Sequence, residues 1–179
     1  DYLVSLDSTL AVRAGIEDIV STLVIALGLV VLVVFIFLQG WRGTLIPAFA
    51  VPVSIVGAFI AFPLFGFSIN TICLMGLVLA IGLVVDDAIV VVENVEHFME
   101  TEKLSPYEAT KKAMNGLASA LIATSLVLCA VFVPVSFLSG ITGQLYRQFT
   151  ITIAVSVLLS TVVALTLSPV MCSLILKPN

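Results

Sequence analysis

Apolar residues in this chain gather into long blocks and do not alternate singly with polar ones. Five blocks can be read directly: Ile19–Leu38, Leu45–Phe65, Ile69–Val92, Leu117–Leu138 and Phe149–Leu176. A helix rising about 1.5 Å per residue needs about 20 residues to cross a hydrocarbon core of about 30 Å, and each block meets that length. Strands of a membrane barrel would instead read as alternating segments of about ten residues. The pattern predicts an all-α, polytopic membrane protein, a five-helix transmembrane bundle over residues 19–176. Residues 1–18 read as a lead-in segment and residues 177–179 as a short end.

The longest polar interval is Glu93–Gly116. Within it, SPYEATKKAM carries a helix-start signature: Ser105 to cap, Pro106 at the first helical position and Glu108 to complete a capping box. Lys111 and Lys112 fall toward the far end, where positive charge suits the helix dipole. A short amphipathic surface helix near residues 105–115 is expected, a solvated connector before it is a docking surface. Pro47 falls near the start of the second helix, where it is cheap, and Pro63 near that helix's end. Pro52, Pro134 and Pro169 lie deeper and are expected to kink or locally unwind their helices. The fifth block exceeds the length the core requires, and tilt or extension absorbs the excess.

Composition agrees with the blocks. The chain is 61% hydrophobic and 10% charged, with mean hydropathy +1.28, whereas a soluble domain carries about 25% charged residues. A net charge of −4 argues against a nucleic-acid partner. Cys73, Cys129 and Cys172 all sit in apolar blocks, where a thiol acts as a small hydrophobe. Their spacing suggests neither a disulfide framework nor a metal site. His97 stands alone at the end of the third block and reads as a solvated interfacial residue. Lys and Arg divide unevenly between the two sides: Arg42, Lys103, Lys111, Lys112 and Lys177 on one, Arg13 and Arg147 on the other. Positive residues concentrate in the cytoplasm, so the N-terminus is expected outside and the C-terminus inside. The opening DYLVSLDSTLAVRAGIEDIV lacks an initiator Met and a cleavable signal pattern, so a fragment of a longer polypeptide is expected.

One feature disturbs the third block. In AIGLVVDDAIVVVENVE, eleven of seventeen residues are aliphatic, yet Asp86 and Asp87 stand side by side. Sixteen residues separate Asn70 from Asp86, about 24 Å of helix, and six separate Asp87 from Glu93, about 9 Å. The pair therefore falls within the hydrocarbon slab, toward the cytoplasmic side. Each carboxylate costs about 2.5–3.5 kcal/mol at mid-helix on insertion scales, so an acid there is a functional candidate by default. Helix–helix hydrogen bonds in membranes contribute only about 0.6 kcal/mol, too little to offset two buried acids. Gly76, Ala80, Asp87 and Asn94 share one stripe, and small residues on it admit a close neighbour. Gly82 lies one turn before Asp86 and, with Gly76, Ala80 and Asn94, is expected to support helix packing around the pair. The two carboxylates should address different neighbours in the bundle's interior. A carboxyl pair so enclosed can handle protons under opposing influences, desolvation and mutual repulsion against any neighbouring cation. No Lys or Arg occurs in the five blocks, so a partner cation would come from elsewhere.

The stretch FGFSINTICLMGLVLAIGLVVDDAIVVVENVE closely resembles the fourth transmembrane helix of resistance–nodulation–division (RND) efflux transporters, with the Gly-x-x-x-Asp-Asp element at Gly82–Asp87. FLQGWRGTLIPAFAVPVS, FVPVSFLSGITGQLYRQFTITIAVS and VALTLSPVMCSLILKP resemble flanking segments of the same family. The likeness covers essentially the whole chain as the second to sixth helices of an AcrB-like pump, and the Asp doublet favours the hydrophobe/amphiphile branch. The resemblance implies proton/drug antiport by a secondary transporter in the bacterial inner membrane, not an enzyme. Asp86 and Asp87 would form the proton relay, with no cofactor beyond the coupling protons and no metal. It further implies hydrophobic or amphiphilic substrates, a homotrimer, and a periplasmic adaptor and outer-membrane channel reached through domains outside this chain. The cationic relay partners would lie in the transporter's second half.

The acidic pair admits two rival readings. An intramembrane aspartyl protease needs carboxylates converging on one water, whereas adjacent residues on one helix diverge. A sterol- or lipid-sensing five-helix domain of the Patched type shares the Gly-x-x-x-Asp-Asp element and is the main alternative. The orientation is open to a direct test. A single cysteine at Thr101 should resist a membrane-impermeant maleimide added to intact cells, while one at Gly66 should react; the opposite pattern would invert the topology.

Overall fold

Apolar segments without water to satisfy their backbone groups must pair those groups internally, which a helix does within one segment. The computed structural model describes residues 8–38, 40–66 and 71–177. They form five long helices: α1 (Ser8–Leu38), α2 (Trp41–Ala61), α3 (Thr71–Glu102), α4 (Pro106–Val135) and α5 (Gly140–Ile175). Each contains a segment long and apolar enough to cross a membrane, and no strand occurs among the described residues. The predicted all-α bundle is what the chain forms.

Boundaries depart from the apolar blocks in instructive ways. Residues 8–18 of the expected lead-in are the first turns of α1; residues 1–7, 178–179, and Ile69 and Asn70 of the third block lie outside the described residues. α2 passes at Phe62–Phe65 into a 3₁₀ turn that Gly66 closes with a left-handed φ of 67°. α3 runs ten residues past Val92, through the acidic segment to Glu102. The separate surface helix expected near 105–115 is corrected: Pro106 starts a single helix continuous to Val135. The start signal itself is real. The Glu108 amide donates to Ser105 Oγ at 3.4 Å, and the Ser105 amide donates to Glu108 Oε2 at 3.4 Å. What the block pattern missed is that Ala109, Thr110 and Ala113 are buried, so the polar segment has a packed face that carries the helix into the apolar block. The expectation for Pro47 also changes, because α2 begins at Trp41 and places Pro47 well inside the helix. Pro134 sits in the last turn of α4, close to the helix's end at Val135.

The α3–α4 connection is short. Lys103 turns the chain with φ 56°, Ser105 caps α4, and Lys112 Nζ bridges back to Glu102 at 2.5 Å. Lys112 Nζ also lies 5.2 Å from the ring centre of Phe98.

α3 and α5 form the centre. The Ser160 hydroxyl reaches Val84 and Asp87, at sequence separations of 76 and 73, and Gly76 faces Thr152. A near-constant offset means the two helices run parallel. Their meeting faces are lined with small residues. On α5, Thr152, Ser156, Ser160, Ala164, Ser168 and Cys172 recur every fourth position and are all buried. On α3, Gly76, Ala80, Val84 and Ala88 do the same. Small residues at this spacing let helix backbones approach. A Cβ at Gly76 would lie 3.1 Å from the Phe149 carbonyl oxygen.

The other helices brace this pair. α2 packs antiparallel to α3: Gly43 meets Val92 and Glu96, Val51 clusters with Ile81, Val84 and Val85, and Phe62 with Cys73, Leu74 and Leu77. α4 runs antiparallel to α5, joined by a buried Ser125–Thr161 hydroxyl pair. α1 rests on α2 and α3 and is otherwise mostly exposed.

The packing separates two glycines of α3. Gly76→Leu should destabilise the folded chain in detergent by about 1–3 kcal/mol through overpacking, because its first added atom meets backbone. Gly82→Leu, where nothing lies within 4 Å of the added carbon, should leave thermal unfolding nearly unchanged. Equal losses would contradict the assigned faces.

Candidate functional site

α3 has two unlike faces. One carries Gly76, Ala80, Val84, Ala88, Val91 and Val95, all buried against α5, α2 or α4. The other carries Met75, Leu79, Gly82, Asp86, Glu93, His97 and Glu100, all exposed. Spacings of three, four and seven keep each set on its own side. The acidic pair straddles the boundary between them.

Asp87 belongs to the packed side and is half-buried. Ser160 Oγ donates to its Oδ2 at 2.7 Å. The same hydroxyl lies 3.5 Å from the Val84 carbonyl oxygen. Ser160 therefore has one proton and two acceptors in reach, and the carboxylate, when ionised, is much the stronger of them. Small neighbours make this contact possible, since a larger residue at Ala80 or Ala164 would push α3 and α5 apart.

Asp86 turns to the exposed face of the described bundle, and Gly82 one turn before it is exposed too, with nothing within 4 Å of an added Cβ, so the expectation that Gly82 supports packing is corrected for these five helices. The expectation that both acids point into the interior of these five helices holds for Asp87 and not for Asp86. Adjacent positions on a helix differ by about 100°, and α3 is packed on only part of its circumference. The divergence also means that the two carboxyl groups do not converge on one water, as an aspartyl protease requires. Gly76 and Ala80 lie in the α3–α5 contact on the Asp87 side. Asn94 is half-buried further along, its Nδ2 donating to the Val90 carbonyl at 3.1 Å, so its amide is engaged within its own helix.

Two participants escaped the sequence reading. Ser160 was one. Its signal was available in the fourfold recurrence of small and hydroxyl residues along α5, which the block pattern hides because Ser and Thr sit unremarked among aliphatics. Ser54, Ser156 and Ser168 are buried too, and their hydroxyls have no hydrogen-bond partner among the described residues. Glu96 was the other. It is half-buried, and its Oε1 would lie 2.9 Å from a Cβ at Gly43 in the first turn of α2. A carboxylate beside the positive end of a helix is favourably placed.

The model of the AcrB/AcrD/AcrF family matches residues 1–179. The multidrug export protein AcrF of Escherichia coli K12 is 52% identical over 172 residues, which cover 96% of this chain and 17% of the relative. The multidrug resistance protein MdtF of the same strain is 52% identical over 171 residues, covering 96% of this chain and 16% of the relative. The toluene efflux pump membrane transporter TtgE of Pseudomonas putida is 50% identical over 171 residues, again 96% and 16%. The chain thus spans about a sixth of the length of the curated relatives it matches.

The geometry predicts which residues are energetically coupled. A double-mutant cycle of Ser160→Ala with Asp87→Ala should yield a coupling of about 1.5–3 kcal/mol, the range for a hydrogen bond to a charged group. The cycle of Ser160→Ala with Asp86→Ala should yield a value near zero. Unfolding in detergent micelles provides the measurement, and similar couplings in the two cycles would refute the division of roles.

Proposed function

The chain belongs to the AcrB/AcrD/AcrF family, and from that premise we propose that it is part of the membrane domain of a proton-driven multidrug efflux transporter. Asp86 and Asp87 carry the acidic half of its proton relay. The observation behind this reading is the Ser160–Asp87 contact inside the α3–α5 interface, with Asp86 on an open stripe of the same helix.

In the proposed cycle, ionised Asp87 holds the Ser160 hydroxyl and so ties α5 to α3. Protonation turns a charge-assisted bond into a neutral one of roughly half the strength. Ser160 then shifts its hydrogen bond toward the Val84 carbonyl, one turn back on the same helix, so the tie between α3 and α5 weakens and changes register without being lost. Asp86 faces the second half of the transporter, whose basic side chain would balance the pair while it is charged. One proton moving across 100 mV supplies about 2.3 kcal/mol, comparable with allosteric coupling energies of about 1–3 kcal/mol. A movement of α3 against α5 is therefore within reach of the driving force.

The rest of the assignment follows from the same reading. The pump is a homotrimer in the bacterial inner membrane, with the α3–α4 connection and the C-terminal end cytoplasmic. It takes hydrophobic or amphiphilic substrates and joins a periplasmic adaptor and an outer-membrane channel through domains beyond these helices. Family membership favours this reading over a sterol-sensing domain.

In the full-length transporter, Asp86→Asn and Asp87→Asn should each abolish dye efflux and drug resistance while membrane levels stay normal. Wild-type resistance in both variants would remove the relay from the proposal.

A further inference from the structure

The α4–α5 hairpin is closed in its middle and open toward its connection. Ser125 and Thr161 meet hydroxyl to hydroxyl, and Cys129 Sγ lies 3.9 Å from the Ala154 carbonyl oxygen. From that level toward the connection, the space between the helices widens into a groove of about 850 Å³, within the range of sites that hold drug-sized molecules. Leu126 and Val133 form one wall, Ile151, Val155 and Leu158 the other, and Phe137 of the connection borders the end. Arg147 stands at that end and is exposed. The ion pair among the described residues is Glu102–Lys112, so Arg147 has no carboxylate partner there.

The dimensions indicate what fits. Eleven residues separate Arg147 from Leu158, about 16 Å of helix, half of a hydrocarbon core of about 30 Å. The groove therefore spans one leaflet, apolar along its length and cationic at the membrane surface. We propose that it binds one anionic phospholipid from the leaflet on the side of the α4–α5 connection. Its phosphate sits on the Arg147 guanidinium and an acyl chain lies between α4 and α5. The guanidinium fork matches phosphate geometry, and its planar charge is more weakly hydrated than an ammonium. A purely apolar helix lying in the groove would cover Arg147 without neutralising it, and a buried unpaired charge is strongly disfavoured. A headgroup carrying its own cation would set that charge against Arg147, which selects for net negative lipid.

The test uses the full-length transporter in vesicles of phosphatidylglycerol and phosphatidylcholine. A trace of phosphatidylglycerol bears a photoactivatable group on one acyl chain, and labelled peptides are mapped by mass spectrometry. Labelling should fall on residues 126–138 and 147–158. Arg147→Gln should reduce it several-fold and Arg147→Lys by a smaller factor, since the charge stays but the fork is lost, and Ala154→Phe, which fills the floor, should reduce it with the charge intact. Arg147 is exposed, so its replacement does not threaten folding. The proposal is overturned if a photoactivatable phosphatidylcholine labels the groove equally, if Arg147→Gln leaves labelling unchanged, or if cysteines at Leu126 and Val133 crosslink to another subunit or helix.

Discussion

A charged carboxylate in a hydrocarbon layer has to take its hydrogen-bond donors from the protein, because no solvent is there to provide them. Much of this bundle can be understood as meeting that demand at Asp87. The donor is a serine on a neighbouring helix, and a serine is short. It reaches the carboxylate at 2.7 Å only because the two backbones lie close, and they lie close because Gly76, Ala80, Ala88, Ser156, Ala164 and Ser168 occupy the facing positions. The small-residue rows and the acidic pair are thus parts of one arrangement.

The second consequence is asymmetry. Placing Asp87 in the packed contact turns Asp86 about 100° away, onto the face of α3 where Met75, Leu79 and Gly82 are also exposed. One carboxylate is tied to structure within the chain, while the other is available to whatever approaches that face. Neighbouring residues of identical chemistry thereby acquire different surroundings, which is the usual way that paired acids are given separate tasks.

The sequence made the membrane class, the helix number and the position of the acidic pair legible, because bilayer thickness imposes a length that composition reveals. The cap at Ser105 was legible too, since its residue types serve few other purposes. The continuity of α4 was not, because polarity ends an apolar block without ending a helix, and Ala109 and Ala113 are too small to announce a buried face. The depth of Pro47 in α2 was hidden for the same reason: Trp41–Thr44 looks like a connection by hydropathy and is helical. The every-fourth-residue row that holds Ser160 was legible as a packed face, but its pairing with Asp87 was not, because that depends on which helix lies opposite. The side taken by Asp86 depends on where α2, α4 and α5 sit around α3, which is tertiary information.

The tight turn after α3 has a mechanical implication. Lys103 reverses the chain in a left-handed conformation, the cap at Ser105 starts the next helix at once, and the Glu102–Lys112 bridge with Phe98 beneath it splints the corner. With so little slack, α3 cannot slide far along its axis without dragging the foot of α4, so the two helices behave as one bent lever. A displacement begun at a single side chain deep in the slab would be delivered, nearly undamped, to the surface of the membrane.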